Sequence, residues 1–228
     1  MPRPAKFNET LILDAAASVV AAHGLGAATI TAIATALGAP NGSIYHRFQS
    51  RDELLGRLWL RTAAFFQDRF VAALEHPDAR QAGLEAALSL PRSVRANPEG
   101  ARIMLLHRRE DFLCAGWPPA MTAEAERLGK QVRDHLDAMA RRLFGRNTRA
   151  AREATTFALL DIPFAAVRRH VAAGEIPSSQ VDDLIAAAYA AVIDAQGATR
   201  RDVGVGKRRS AGRGSLSLEE RERRPRRD

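Results

Sequence analysis

Residues 29–55, TITAIATALGAPNGSIYHRFQSRDELL, decide how the rest of the chain is read. Thr29 is a good cap for a helix whose buried face is Ile30, Ile33, Ala34 and Leu37, and Gly38 stops it. Pro40 suits the first position of a next helix, because it gives up an amide that has no partner there. That helix is brief, Asn41 to His46, with Ile44 and Phe48 facing inward four residues apart. Ser50 and Glu53 form a capping box that opens a long helix, in which Leu55, Leu58, Ala63, Phe66 and Phe70 carry the buried stripe towards Pro77. The layout is that of a unit that pushes the end of a short helix into the major groove of DNA and pins its flanks to phosphates.

The residue types on the exposed side fit that task. A reading helix needs a slim N-terminal turn, and Ala39, Pro40, Gly42 and Ser43 supply one. Gly42 lets backbone approach the duplex, and Ser43 can hydrogen-bond a base or a phosphate. Tyr45 and His46 can reach phosphates beside the groove. Thr29 and Thr31 sit at one helix N-terminus and Arg51 at another, where free amides favour phosphate oxygens. Asn41 has the geometry to read adenine through two hydrogen bonds. The bland alternative is an αα-corner with a solvated face, in which Tyr45 is a half-buried packing residue.

The run resembles the DNA-binding signature of the tetracycline-repressor (TetR) family. The likeness extends over about residues 8–55 without gaps and rests on Thr29, Ile33, Ala34, Gly38, Gly42, Tyr45, Phe48, Ser50, Arg51 and Leu54. It implies a three-helix helix-turn-helix domain with Gly42–His46 in the recognition helix, and Tyr45 and Arg51 clamping the DNA backbone. Two positions depart from the family: Pro40 stands where Ser or Thr is common, and Asn41 where lysine is frequent. The resemblance further implies a homodimer on a palindromic double-stranded operator, with a variable helical C-terminal domain that binds a small-molecule effector. Occupation of that domain pivots the fourth helix and releases the DNA, as in a repressor.

Upstream, a helix over about 9–23 is expected, capped by Asn8, stapled by Phe7 on Ile12, and ended by Gly24 in a left-handed cap. Downstream the pattern stays helical. One segment over about 78–96 should kink or split at Pro91, and another runs from Asn97 to about His107. The loop Cys114–Pro119 is a firm break. Further helices are expected over about 120–144, from Asn147 to about Ala173 with a bend near Pro163, and from Ser178 to about Ala195. The fold class is thus all-α, divided as 1–55 for DNA, 56–197 for effector and dimerisation, and 198–228 as a disordered basic tail. Helices 147–173 and 178–195, alanine-rich and striped, are the expected dimer face. Phe70, His107, Phe112, Trp117, Phe157 and Phe164 are the pocket candidates, although ordinary core packing is the commoner role for residues of these types.

Composition bounds the alternatives. The 228 residues are 46% hydrophobic, which suits a globular chain, and the net charge is +8. Residues 200–228 hold 11 of the 34 basic and 5 of the 26 acidic groups, so only +2 is left for the remainder. Placement of charge, not its total, therefore has to carry a nucleic-acid reading. Clustered arginines after 200 can add nonspecific DNA affinity by counterion release, or can be idle. The longest apolar run, Leu184 to Ile193, is too short to span a bilayer. No leader is visible, and a single cysteine excludes an internal disulfide. A cytoplasmic, nucleoid-associated protein is expected. The six histidines show no metal spacing, and no nucleophile motif or phosphate loop appears, so no enzyme, metal or cofactor is expected. A helical enzyme, an interaction module without a DNA role, and a ligand-responsive activator are the competing readings. An interaction module would shift no genomic fragment.

Overall fold

The computed structural model describes residues 7–112 and 117–210, with side chains up to residue 197. Among the described residues every regular element is helical. The first helix, α1 (Glu9–His23), starts where the Asn8 side chain accepts from the Leu11 amide at 2.9 Å. It ends at Gly24, whose φ of 81° and ψ of 168° differ from the left-handed cap expected there. The chain extends at that point because a 3-10 turn, Leu25–Ala27, follows at once. Then come α2 (Ile30–Leu37), closed by Gly38 in the left-handed region, and α3 (Asn41–Tyr45). Pro40 precedes α3 as its cap (φ −65°, ψ 144°), and His46 follows as the other cap, so α3 starts at Asn41 as expected and ends one residue earlier.

A five-residue helix has no stability of its own, since nucleation costs more than its few hydrogen bonds return. What holds α3 is Ile44, its one buried side chain, fully enclosed together with Phe48. Burial of such a side chain contributes roughly 1.5–3 kcal/mol. The long helix α4 (Arg51–Ala73) begins with the capping box: Ser50 accepts from the Glu53 amide at 3.1 Å, and Glu53 accepts from the Gln49 amide at 2.8 Å. The reciprocal bond thus comes from the residue before the cap.

Beyond α4 lie α5 (Ala79–Ala96), α6 (Pro98–Leu106), the single turn α7 (Arg109–Phe112) and α8 (Pro119–Phe144). Pro91 does not split α5, whose α-helical assignment is continuous through it. The next helix, α9 (Arg149–Thr156), is capped by Thr148, not by Asn147, with the Ala151 amide donating to the Thr148 hydroxyl. A π-helical turn, Phe157–Asp161, joins α9 to α10 (Ile162–Ala172). Pro163 lies just inside α10 and lacks the amide that a regular ladder needs there, so the irregularity expected near it takes the form of this π turn. The last helix, α11 (Ser179–Ser210), runs further than the expected end near Ala195. No proline interrupts it, so the backbone ladder has no enforced stop. Residues 211–228 of the expected tail lie outside the described residues.

Two hydrophobic cores organise these helices. The first gathers α1, α2, Ile44, Phe48 and the first half of α4 with Ile103, Phe112, Trp117, Met121, Ala125 and Leu128. The second gathers Phe70 and Leu74 at the end of α4 with α5, the far half of α8 and α9 to α11. Three helices, α4, α6 and α8, thus enter both cores. Where α4 and α8 cross, a Cβ on Gly56 would stand 2.5 Å from Met121 Cε and 2.6 Å from Trp117 Cε2. Only glycine permits that approach. At the other end, the buried Tyr189 hydroxyl of α11 donates to the Arg80 carbonyl at 2.8 Å, and Arg95 of α5 holds Asp182 through two bonds of 3.0 and 2.7 Å.

Candidate DNA interface and effector cavity

The short helix turns one side chain inward and the rest outward. Beside the enclosed Ile44, Tyr45 is 58% exposed, and Pro40, Asn41, Gly42 and His46 are exposed as well. Nothing lies within 4 Å of the space above Gly42, so its backbone is open to a surface laid against it. Ser43 is half-buried. Thr31 is exposed on α2 and accepts from Asn41 Nδ2 at 3.4 Å, which ties the two helices of the turn together. Thr29 caps α2, its hydroxyl oxygen accepting from the Ala32 amide at 3.1 Å while the side chain stays at the surface. Threonines and tyrosine at such rims are well suited to phosphate oxygens.

Two arginines brace this surface. Arg51 donates from Nε to the Ala28 carbonyl at 2.8 Å and from Nη2 to the Leu25 carbonyl at 2.7 Å. It therefore clasps the turn ahead of α2 to the start of α4. Its remaining Nη1 lies 3.7 Å from Asp52, and the side chain is 35% exposed. The free guanidinium that a phosphate clamp would offer is largely committed here. Arg47, which the sequence reading passed over, is exposed directly after α3 and donates from Nε to the Phe7 carbonyl at 2.9 Å. Its position as the one arginine between Tyr45 and the capping box was the available signal.

A cavity of about 640 Å³ lies between the two cores. Its walls come from α4 (Trp59, Ala63, Phe66, Gln67, Phe70), α5, α6, α8 and the segment Leu159–Phe164, with Arg109 of α7. The size is ordinary for a small-molecule site. Of the aromatic residues singled out from sequence, Phe70 and Phe164 line it. Phe112 and Trp117 instead belong to the first core, where the Trp117 indole N–H donates to the Phe112 carbonyl at 2.8 Å. His107 packs edge-on against Phe112, ring centroids 6.0 Å apart, and is not on the cavity wall. Phe157 points outward, half-exposed, into a groove shared with Arg149, Val192 and Gln196. Aromatic character alone does not separate cavity walls from core or from outer face.

The sequence reading also missed the polar members of the wall. Gln67 is 8% exposed, and its Nε2 is buried without a hydrogen-bond partner. The Arg109 Nε is likewise buried and unpartnered, with the guanidinium carbon 5.8 Å from the Trp59 ring centre. Ser89, by contrast, donates to the Ala86 carbonyl at 2.7 Å. Among the described residues no helix is long and apolar enough to cross a membrane.

The family description "Bacterial regulatory proteins, tetR family" matches residues 12–58, which span α1 to the start of α4. A probable acrEF/envCD operon repressor of Escherichia coli K12 is 24% identical over 104 residues, covering 44% of this chain and 47% of that protein. The chain thus spans about half the length of the curated relatives it matches. The TetR-family transcriptional regulator PfmR of Thermus thermophilus superposes with a TM-score of 0.63 at 20% identity, covering 82% of this chain and 96% of that one. The transcriptional regulator FadR of Bacillus subtilis, solved in complex with stearoyl-CoA, gives 0.56 at 17% identity, covering 83% and 97%. At these identities the two structures speak for the fold alone. The similarity to the tetR family of bacterial regulatory proteins thus lies in residues 12–58, the segment that carries the exposed short helix.

Proposed function

We propose that the protein is a sequence-specific DNA-binding transcriptional regulator, a repressor that leaves its operator when a small molecule fills the cavity between the cores. The observation that carries this reading is the division within α3, where Ile44 is fully enclosed while Tyr45 is 58% exposed. A helix anchored by one side chain presents the remainder as a reading surface. In this reading residues 1–55 bind DNA, with Thr29, Thr31, Pro40, Asn41, Gly42, Ser43, Tyr45 and His46 against the duplex. Arg51 acts as a positioning residue that fixes α2 against α4.

Residues 56–197 hold the effector and the partner subunit. A second copy docks along α9 to α11, where Phe157, Ile176 and Leu184 leave large apolar side chains in water. A two-fold pair then sets two α3 helices about one DNA turn apart on a palindromic site. Since α4 runs from Arg51 beside the reading unit to Phe66, Gln67 and Phe70 on the cavity wall, a ligand that displaces α4 changes that separation. Linkage makes the effect reciprocal: a ligand that weakens DNA binding is itself weakened by DNA to the same factor.

The test is selection of genomic fragments by the purified full chain, followed by titration of the winning fragment with wild type and with Tyr45→Ala. Specific retention that is lost in the variant, with unchanged helix content, supports the reading. Retention of no fragment above background would overturn it.

A further inference from the structure

The surface offered to DNA carries no formal charge. From Thr29 to His46 the chain holds no Asp, Glu, Lys or Arg. The two arginines nearest after it each spend their Nε on backbone, Arg47 on the Phe7 carbonyl and Arg51 on the Ala28 carbonyl. The arginine fork that commonly reads guanine is therefore missing from α2 and α3. Base edges laid against these helices meet neutral side chains, of which Thr29, Thr31, Thr35, Asn41, Tyr45 and His46 are polar and exposed.

One of these six places a donor and an acceptor side by side. A hydroxyl offers a single oxygen, and an imidazole holds its two nitrogens apart across the ring. The Asn41 amide instead has Nδ2 and Oδ1 on the same carbon. In the major groove adenine shows the complementary pair, the N7 acceptor beside the N6 donor. Guanine offers two acceptors there, and thymine and cytosine one polar group each. The amide thus meets adenine through two bonds and any other base through one.

This amide is also held in place. Asn41 Nδ2 donates to Thr31 Oγ1 at 3.4 Å, joining the start of α3 to the exposed face of α2. A primary amide has two N–H groups, so the second stays beside Oδ1 for a base. Fixing the side chain in the free protein removes part of the ordering cost at contact. Beside it, the open space over Gly42 leaves room for a base edge to come within hydrogen-bond distance.

We propose that Asn41 reads one adenine in each half of the operator, through N7 and N6, and that Thr31 is a positioning residue that fixes the amide for it. This rests on the DNA-binding reading given above. It adds the base that the site must contain and the side chain that orients its reader.

The test selects duplexes from a random library with the full chain, as wild type, Asn41→Ala, Thr31→Val and Thr31→Ser. Helix content is compared, and the bound pools are sequenced. Wild type should require adenine at one position per half-site, with guanine there binding about tenfold weaker. Asn41→Ala should accept any base at that position while keeping its preferences elsewhere. Exchanging that adenine for 7-deazaadenine, which lacks only the N7 acceptor, should weaken wild type about fivefold and leave Asn41→Ala unmoved. Thr31→Val should shrink the adenine preference severalfold, and Thr31→Ser should restore it.

An adenine preference that survives Asn41→Ala, or a selected site that needs no adenine, overturns the proposal while DNA binding stands. A hydroxyl that served a phosphate would, when removed, weaken all sequences alike. That outcome for Thr31→Val overturns the role given to Thr31. A wild-type chain that selects no sequence at all ends the DNA-binding reading itself, and the adenine contact falls with it.

Discussion

The region around α3 and the cavity between the two cores treat their polar groups in opposite ways. Around α3 the polar side chains close on neighbouring backbone: Asn8, Thr29 and Ser50 accept from helix amides, and Arg47 and Arg51 donate to carbonyls of Phe7, Leu25 and Ala28. In the cavity between the cores, Gln67 and Arg109 keep buried nitrogens with no acceptor. The first arrangement fixes a shape, and the second leaves two donors unpaired beside a cavity. A reading surface must be rigid before it meets DNA, whereas an effector site gains affinity from groups that the free protein leaves unsatisfied. Helices α4, α6 and α8 enter both cores, so the rigid unit and the unsatisfied one share a frame.

Perturbations ranked by size can break this contrast or sharpen it. The largest effect is expected from Ile44→Ala, which removes the anchor of α3. The change should cost roughly 2–5 kcal/mol and abolish DNA retention, read from denaturant midpoints and fragment binding. A normal midpoint with normal binding would mean that α3 is held some other way. Next comes Gly56→Ala at the crossing of α4 and α8. Its Cβ would overlap Trp117 and Met121, for a loss of about 1–3 kcal/mol. Because the crossing lies between the reading unit and the cavity, ligand response should suffer alongside stability. Loss of stability with intact response would place the coupling elsewhere.

Arg51→Met should lower affinity for every DNA sequence to a similar extent while leaving the salt dependence of binding unchanged, since its donors serve Ala28 and Leu25. A salt slope that falls by about one would instead give Arg51 a phosphate of its own. The smallest effect concerns Tyr189, where burial pushes the phenol from 10.0 up to about 12. The folded protein then keeps its proton at pH values where the unfolded chain has lost it. The associated stability is complete below pH 10 and drains away as pH rises towards 12. Tyr189→Phe should remove that decline from a stability-versus-pH series, at the cost of a single hydrogen bond to Arg80. A decline that persists in the variant would assign it to other groups.

Legibility from sequence followed the range of the interactions. Caps and turns act over three or four residues, so Asn8, Thr29, Gly38 and the Ser50–Glu53 pair could be read directly, and the helix boundaries around α3 came within one residue. The Gly24 geometry was missed because the 3-10 turn that follows it depends on Arg51, over twenty residues away. The same distance hides the true partners of Arg51 from any local reading. The cavity was hardest to see. Its wall joins residues from α4 to α10, and the aromatic residues chosen for it scattered between wall, core and outer face. Gln67 and Arg109 look like ordinary surface residues until burial and the lack of partners are known.

The central claim is that α3 is built to lie against a duplex rather than to stabilise its own protein. The most direct test measures Tyr45→Ala for thermal stability and for affinity to a selected genomic fragment in the same buffer. The account predicts an unchanged melting temperature and a loss of affinity of tenfold or more, about 1.4 kcal/mol. A variant that melts early while holding DNA as tightly as wild type would contradict it.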